Sequence, residues 1–154
     1  MAKAVAARKR TIRAPGGRKD KAFETFVSWK APAAKKIEVI RQGVRARVVD
    51  DMVAYLDVPK NVVFAVLHTP ESTAHKLIKE NRPLDSAASE RVVRVGEIAG
   101  RAERTFGGKD AAMRWLKTAN LGLGGATPLS MLDTEAGADE VRRILAAIDY
   151  GGVV

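Results

Sequence analysis

The chain contains no cysteine, which removes a disulfide framework, a thiolate metal site and a cysteine nucleophile together. Aromatic residues make up only 5% of it. Alanine, valine, leucine and isoleucine supply the apolar content instead, as in a small helical protein with compact side chains in its core. No apolar run approaches the roughly 20 residues that span a bilayer, and the N-terminus lacks a signal-peptide hydrophobic stretch, so no membrane partner and a cytoplasmic location are expected. The histidines, His68 and His75, stand apart from each other and from carboxylates at metal-binding or general-base spacing. Surface or turn roles are expected for both, with no metal and no cofactor. Without H-E-x-x-H or a nucleophile beside a base, the composition argues for a binding protein and against an enzyme.

What is present in excess is positive charge, formally +9. Most of it lies in the first thirty residues, where Lys3, Arg8, Lys9, Arg10, Arg13, Arg18, Lys19, Lys21 and Lys30 face only Asp20 and Glu24. Pro15-Gly16-Gly17 interrupts this stretch, and its first twenty residues follow neither a helix nor a strand period. Residues 1–32 therefore read as a flexible basic arm, suited either to lie along a phosphate backbone or simply to keep the chain in solution. Trp29, between arm and body, is placed to pin one to the other.

From Ala33 the pattern turns helical. Ile37 and Ile40 recur up to Gln42, and Gly43 stands as a C-terminal cap. A second helix is expected from Val44 to Leu56, with Val49, Met52, Val53 and Leu56 inward. Pro59 opens a third through Val62, Val63, Val66 and Leu67, and Thr69-Pro70 reads as the cap and first turn of a fourth. Two short helices joined by Leu67-His68-Thr69 form a helix-turn-helix arrangement. In the second of them Ala74, Leu77 and Ile78 must face inward, which turns Ser72, Thr73, Lys76 and Lys79 outward with His75 on the flank. Hydroxyls and an imidazole can reach base edges in a major groove, and lysines can reach phosphates. A plain helical hairpin has the same apolar spacing, and Glu71 and Glu80 nearly balance the local charge.

Arg82-Pro83 ends this unit, and Asp85 caps a longer helix to Phe106 with the stripe Val92, Val95, Ala99, Ala102 and Phe106. Gly96 and Gly100 sit one turn apart inside it, each costing about 1 kcal/mol against alanine, so close approach by another helix, from this chain or a second copy, is expected there. Asp110 to Thr118 reads as a further helix in which Trp115 serves the core or anchors a partner.

The remaining stretch, Ala119 to Gly151, organises the rest. Gly122, Gly124 and Gly125 lie between helices, with no preceding strand and no following Lys-Ser or Lys-Thr, so they suit a tight turn better than a phosphate loop. Thr127-Pro128 then starts a short helix. Beyond Gly137, Asp139 and Glu140 suit a helix N-terminus, and Val141, Ile144, Leu145 and Ile148 recur until Gly151. The run Asn120-x-x-Leu123-Gly124-Gly125-x-Thr127-Pro128-Leu129, followed by Leu132-x-Thr134-x-x-Gly137, Val141 and Ile148-x-Tyr150-Gly151, resembles the C-terminal domain of the MbcA/ParS/Xre antitoxin family. The likeness extends less specifically upstream to about Lys35.

That resemblance implies an all-α fold in which a helix-turn-helix DNA-binding part precedes a small helical toxin-binding domain. The implied division is a basic arm over 1–32, DNA binding over 33–84, connecting and dimerisation helices over 85–118, and toxin binding over 119–154. It implies a homodimer that binds double-stranded operator DNA, for which the outward residues Ser72, Thr73, His75, Lys76 and Lys79 are the candidate contacts. It also implies that Arg142, Arg143, Tyr150, Gly151, Gly152, Val153 and Val154 meet a RES-type, NAD-degrading toxin at its active site, the short stretch after Gly151 being a suitable plug. A stand-alone transcription regulator whose C-terminal domain serves only self-association is the alternative.

Overall fold

The computed structural model describes residues 22–152. Among the described residues eight α-helices run in order as α1 (Ala22–Val27), α2 (Ala33–Gln42), α3 (Val48–Leu56), α4 (Lys60–Leu67), α5 (Glu71–Lys79), α6 (Ser86–Phe106), α7 (Lys109–Lys117) and α8 (Glu135–Asp149). Short 3-10 helices at Leu121–Leu123 and Leu129–Asp133 lie between α7 and α8. Among the described residues the extended pairing is confined to one isolated bridge, Arg45 with Pro83. The fold is all-α.

The long helix α6 is the spine. Its N-terminus is fastened by Asp85, whose carboxylate accepts the Ala88 N–H at 2.7 Å, and Gly107 ends it in the left-handed region at φ 76°. A carboxylate at that position satisfies an otherwise unpaired amide and complements the helix dipole. Val92, Val95, Ala99 and Ala102 are completely buried and Phe106 partly so, as the stripe requires. Around this spine pack α1, α2, α4, α7, α8 and the second 3-10 helix. One continuous apolar core results, running from Phe23 through Met52, Leu56 and Leu67 to Leu132, Ile144 and Leu145.

The glycines of α6 meet a neighbour from within the chain. A Cβ on Gly96 would stand 2.6 Å from the Cβ of Phe26, and one on Gly100 would stand 2.0 Å from the Val27 carbonyl oxygen. The close partner is α1, inside the segment that the sequence assigns to the flexible arm. The arm expectation is corrected here: from Ala22 the chain is helical, with Phe23 at 0% exposure and Val27 also buried. Phe23 meets the Tyr55 ring edge-on at 5.4 Å, and Phe26 meets Trp29 edge-on at 5.3 Å. Burial of two apolar side chains, worth about 1.5–3 kcal/mol each, outweighs the charge of the surrounding segment. Residues 1–21 of the expected arm lie outside the described residues.

Two other boundaries move. The second expected helix begins at Val48, not Val44, because Val44 to Ala46 pair with the strand-like link after α5. Ala46 N–H donates to Arg82 O at 2.9 Å, and Leu84 N–H to Val44 O at 2.8 Å. The last helix begins a full turn earlier than its charges suggest. Thr134 caps it, its hydroxyl accepting the Gly137 N–H at 3.1 Å, and Gly137 is buried inside the first turn. A Cβ there would lie 2.0 Å from Met131 O, so the glycine allows the second 3-10 helix to abut α8. Nor does Thr69 cap α5. Pro70 holds that place with no side-chain bond, and the Thr69 hydroxyl reaches back to Leu67 O at 3.5 Å.

Candidate functional site

The helix pair α4–α5 turns at His68, whose φ of 53° lies in the left-handed region usual for a helix stop. In α5, Ala74 is buried and Leu77 and Ile78 half-buried. The expected reading side chains Ser72, Thr73, His75, Lys76 and Lys79 are all exposed on the other side. This follows from the period: three apolar residues at i, i+3 and i+4 occupy one face and leave the polar ones to solvent. His75 is held edge-on against Phe64 at 5.4 Å, and its Nε2 lies 3.4 Å from Glu71, which gives the imidazole a defined direction.

The turn is also a joint. His68 Nε2 lies 3.0 Å from Asp133 Oδ2 in the second 3-10 helix, a contact spanning 65 positions. The sequence reading of both histidines as isolated from carboxylates is therefore corrected: Asp133 lies too far along the chain from His68 to leave a local signature, whereas Glu71 stands one helical turn before His75. Beside it, Arg91 of α6 donates through Nε to Asp133 O at 2.9 Å and through Nη1 to Leu67 O at 3.4 Å. Arg94, buried at 7% exposure, donates to Leu132 O at 3.0 Å and to Glu90 at 2.7 Å. Its Nε stands 2.9 Å from Glu135 without a directed hydrogen bond, so that contact is Coulombic. Two arginines thus fasten the carbonyls of the C-terminal segment to α6, and one of them, Arg91, ties them to the helix-turn-helix as well. Neither was singled out by sequence reasoning, because their partners lie downstream.

On the far side, α8 buries Val141, Ile144 and Leu145 and faces solvent with its charges. Arg142 is engaged by Glu135 and Asp139, both at 2.6 Å; burial alone would lower its pKa, but these two carboxylates raise it. Arg143 lies exposed beside Glu140 at 2.8 Å. Both arginines are thus committed to their own helix. Tyr150 is not: at 91% exposure it stands clear of the body just past the helix end. Gly151 turns left-handed at φ 74°, and Gly152 N–H returns to Ala147 O at 2.6 Å. Val153 and Val154, also expected at the toxin, lie outside the described residues.

The glycine-rich loop is tightly tied. Asn120 Oδ1 accepts the Gly122 N–H at 2.8 Å, Gly125 N–H donates to Asn120 O at 2.9 Å, and Asn120 N–H donates to Ala126 O at 3.0 Å. Gly124 and Gly125 have positive φ, and added Cβ atoms would meet nothing within 4 Å. They serve a sharp turn, as the tight-turn reading expects. Thr127 accepts the Ser130 N–H at 3.2 Å and so caps the short helix that follows.

Comparison with known proteins places names on both halves. A family model described as "Antitoxin Xre-like helix-turn-helix domain" matches residues 36–97, and one described as "Antitoxin Xre/MbcA/ParS C-terminal toxin-binding domain" matches residues 101–151. The matched segments meet inside α6, the helix on which both halves pack. Among curated relatives, the "Prs ADP-ribosylating antitoxin" of Sphingobium sp. (strain YBL2) is 31% identical over 132 residues, covering 80% of this chain and 83% of that protein. An "Antitoxin Xre" of Yersinia enterocolitica is 28% identical over 116 residues, covering 75% of this chain and 78% of the relative. An "Antitoxin Xre" of Photorhabdus laumondii is 42% identical over 64 residues, covering 41% and 43%. With an exposed polar face on its helix-turn-helix, and a last helix that ends on an uncovered tyrosine, the chain belongs to the Xre/MbcA/ParS antitoxin family, combining a DNA-binding domain with a toxin-binding one.

Proposed function

We propose that this antitoxin neutralises a RES-type toxin by covering its active site with the C-terminal region, and that it binds its own operator as a homodimer. In this reading residues 33–84 contact DNA, 85–118 support dimerisation and 119–154 cover the toxin. The observation that carries it is Tyr150, an almost fully exposed aromatic residue at the end of a helix that is otherwise anchored in the core. Large rigid aromatics on a fixed scaffold are the side chains that fill partner pockets at low entropic cost. Arg142 and Arg143, held by carboxylates of their own helix, contribute at the rim. Tyr150, Gly151, Gly152, Val153 and Val154 enter the pocket.

The test is biochemical. The toxin encoded beside this chain is purified, and its NAD consumption is followed as the antitoxin is titrated in; a stoichiometric loss of activity supports the reading, and undiminished turnover at excess antitoxin refutes it. A second chemistry follows from the Sphingobium relative, whose name refers to ADP-ribosylation. Both NAD hydrolysis and ADP-ribosyl transfer consume NAD and release nicotinamide, and NAD labelled in its adenosine moiety separates them: label ends in free ADP-ribose in the first and becomes protein-bound in the second.

For DNA, Ser72, Thr73 and His75 face the base edges and Lys76 and Lys79 the phosphates. Two α5 helices related by a dimer axis suit an inverted-repeat operator. Changing Lys76 and Lys79 to alanine is expected to weaken operator binding across all sequences alike and to lower the salt slope by about 1 per lysine. Titration by fluorescence anisotropy at several salt concentrations measures both, and an unchanged slope removes these lysines from the interface. Toxin bound to the C-terminal region acts on this surface through the His68–Asp133 and Arg91 contacts, which join the reading hairpin to the toxin-binding part.

A further inference from the structure

From Thr118 to Leu132 no residue carries charge, the longest such stretch in a chain that is 29% charged. At its centre Leu121 is 96% exposed. Three large apolar residues are exposed among those described: Ile37 at 45%, Tyr150 at 91% and Leu121. The two that are almost bare both fall within residues 101–151, the segment matched to the toxin-binding domain. An isolated exposed leucine on a mobile loop would need no explanation. This one sits on a loop held by the Asn120 side chain and by backbone bonds from Asn120, Leu123, Gly124 and Gly125, with its neighbour Leu123 buried beneath it. The first 3-10 helix, which carries Leu121, packs against α8, the helix that leads to Tyr150.

We propose that Leu121 is a second anchor for the toxin, seated in an apolar pocket of that protein apart from the one that receives the tail. Interface cores are depleted in charge and rely on side chains presented without further ordering, and the loop meets both conditions. The loop's glycines keep its rim free of side chains while their amides are spent on bonds within the loop, so what it offers a partner is the bare Leu121 side chain. The partner surface is therefore concave and apolar. This inference rests on the toxin-binding reading above and adds a contact that the tail does not supply.

The experiment uses the full antitoxin and the toxin encoded beside it. Leu121→Asp is expected to weaken the complex at least tenfold by calorimetry, Leu121→Ala by less, and Leu121→Met to bind as wild type. All three should keep wild-type circular dichroism, melting temperature and operator affinity, because the side chain contributes nothing to the core. Wild-type toxin affinity in Leu121→Asp overturns the anchor alone. Failure of the unsubstituted chain to bind the toxin overturns both this inference and the proposed function. If Leu121→Asp loses self-association while toxin affinity persists, the occupant is a second copy and the proposal falls.

Discussion

Removal of Tyr150 to Val154 is expected to return growth arrest to cells that express the chain with its toxin, while leaving the helical body folded. Among the described residues the deletion removes three backbone hydrogen bonds at the end of α8, from Tyr150, Gly151 and Gly152 to Ala146, Ile148 and Ala147. At an exposed helix end water replaces such bonds, so each costs about 1 kcal/mol or less. Among the described residues the only large apolar side chain removed is Tyr150, which at 91% exposure covers little of the core. Against the toxin the arithmetic reverses. A buried aromatic anchor is worth about 2–4 kcal/mol to a complex, which corresponds to a loss of roughly 30- to 1,000-fold in affinity. Tyr150→Ala should reproduce most of this loss with every other residue in place. The pairing of unchanged melting with lost protection distinguishes a missing contact from a misfolded chain. Equal protection by the truncated and intact chains would remove the tail from the mechanism.

The largest effect on stability is expected at Gly100. Alanine there gains about 1 kcal/mol in helix propensity. Its Cβ, however, would lie 2.0 Å from the Val27 carbonyl oxygen, a backbone atom that cannot rotate aside. Two responses are open. If α1 stays docked, overpacking costs about 1–3 kcal/mol or more. If α1 lets go, the burial of Phe23 and Val27 is lost at about 1.5–3 kcal/mol each. Net of the propensity gain, the loss is about 0–2 kcal/mol if α1 stays docked and about 2–5 kcal/mol if it lets go, the latter lowering the melting temperature by roughly 5–20 °C in a chain of this size. A double-mutant cycle with Phe23→Ala separates the responses: undocking makes the second substitution nearly silent, while a docked but strained helix keeps its cost close to additive. Melting of Gly100→Ala at or above the wild-type temperature would mean that α1 does not pack on the spine as described.

The same pair of elements marks the limit of what could be read from residues alone. Gly96 and Gly100 announce a close neighbour, because a helix does not otherwise carry two such costs one turn apart. The neighbour's identity was not legible. Phe23 and Val27 lie in a segment whose charge and preceding glycines argue for an arm, and nothing local marks them as core. The candidate surfaces divide in the same way. Ser72, Thr73, His75, Lys76 and Lys79 are legible because outward residues are the complement of a periodic apolar face. Tyr150 entered only through the family resemblance, since the period of α8 ends at Gly151 without marking which side chain stays uncovered. The exposure of Leu121 was hidden, since a leucine in an apolar stretch reads as core until its burial is known.

By itself the sequence determined the helices with their strongest stops, the all-α class and the family, because apolar period, Asp85, Gly43 and Gly107 act within one or two turns. Tertiary structure decided the start of α3, the docking of α1 and the joint between the two functional halves. Each of these depends on partners far apart in the chain: Val44 on Leu84, Val27 on Gly100, His68 on Asp133, Arg91 on Leu67 and Asp133. A hydrogen bond or close contact between such residues leaves no period in either segment. It exists only once the chain has folded back on α6.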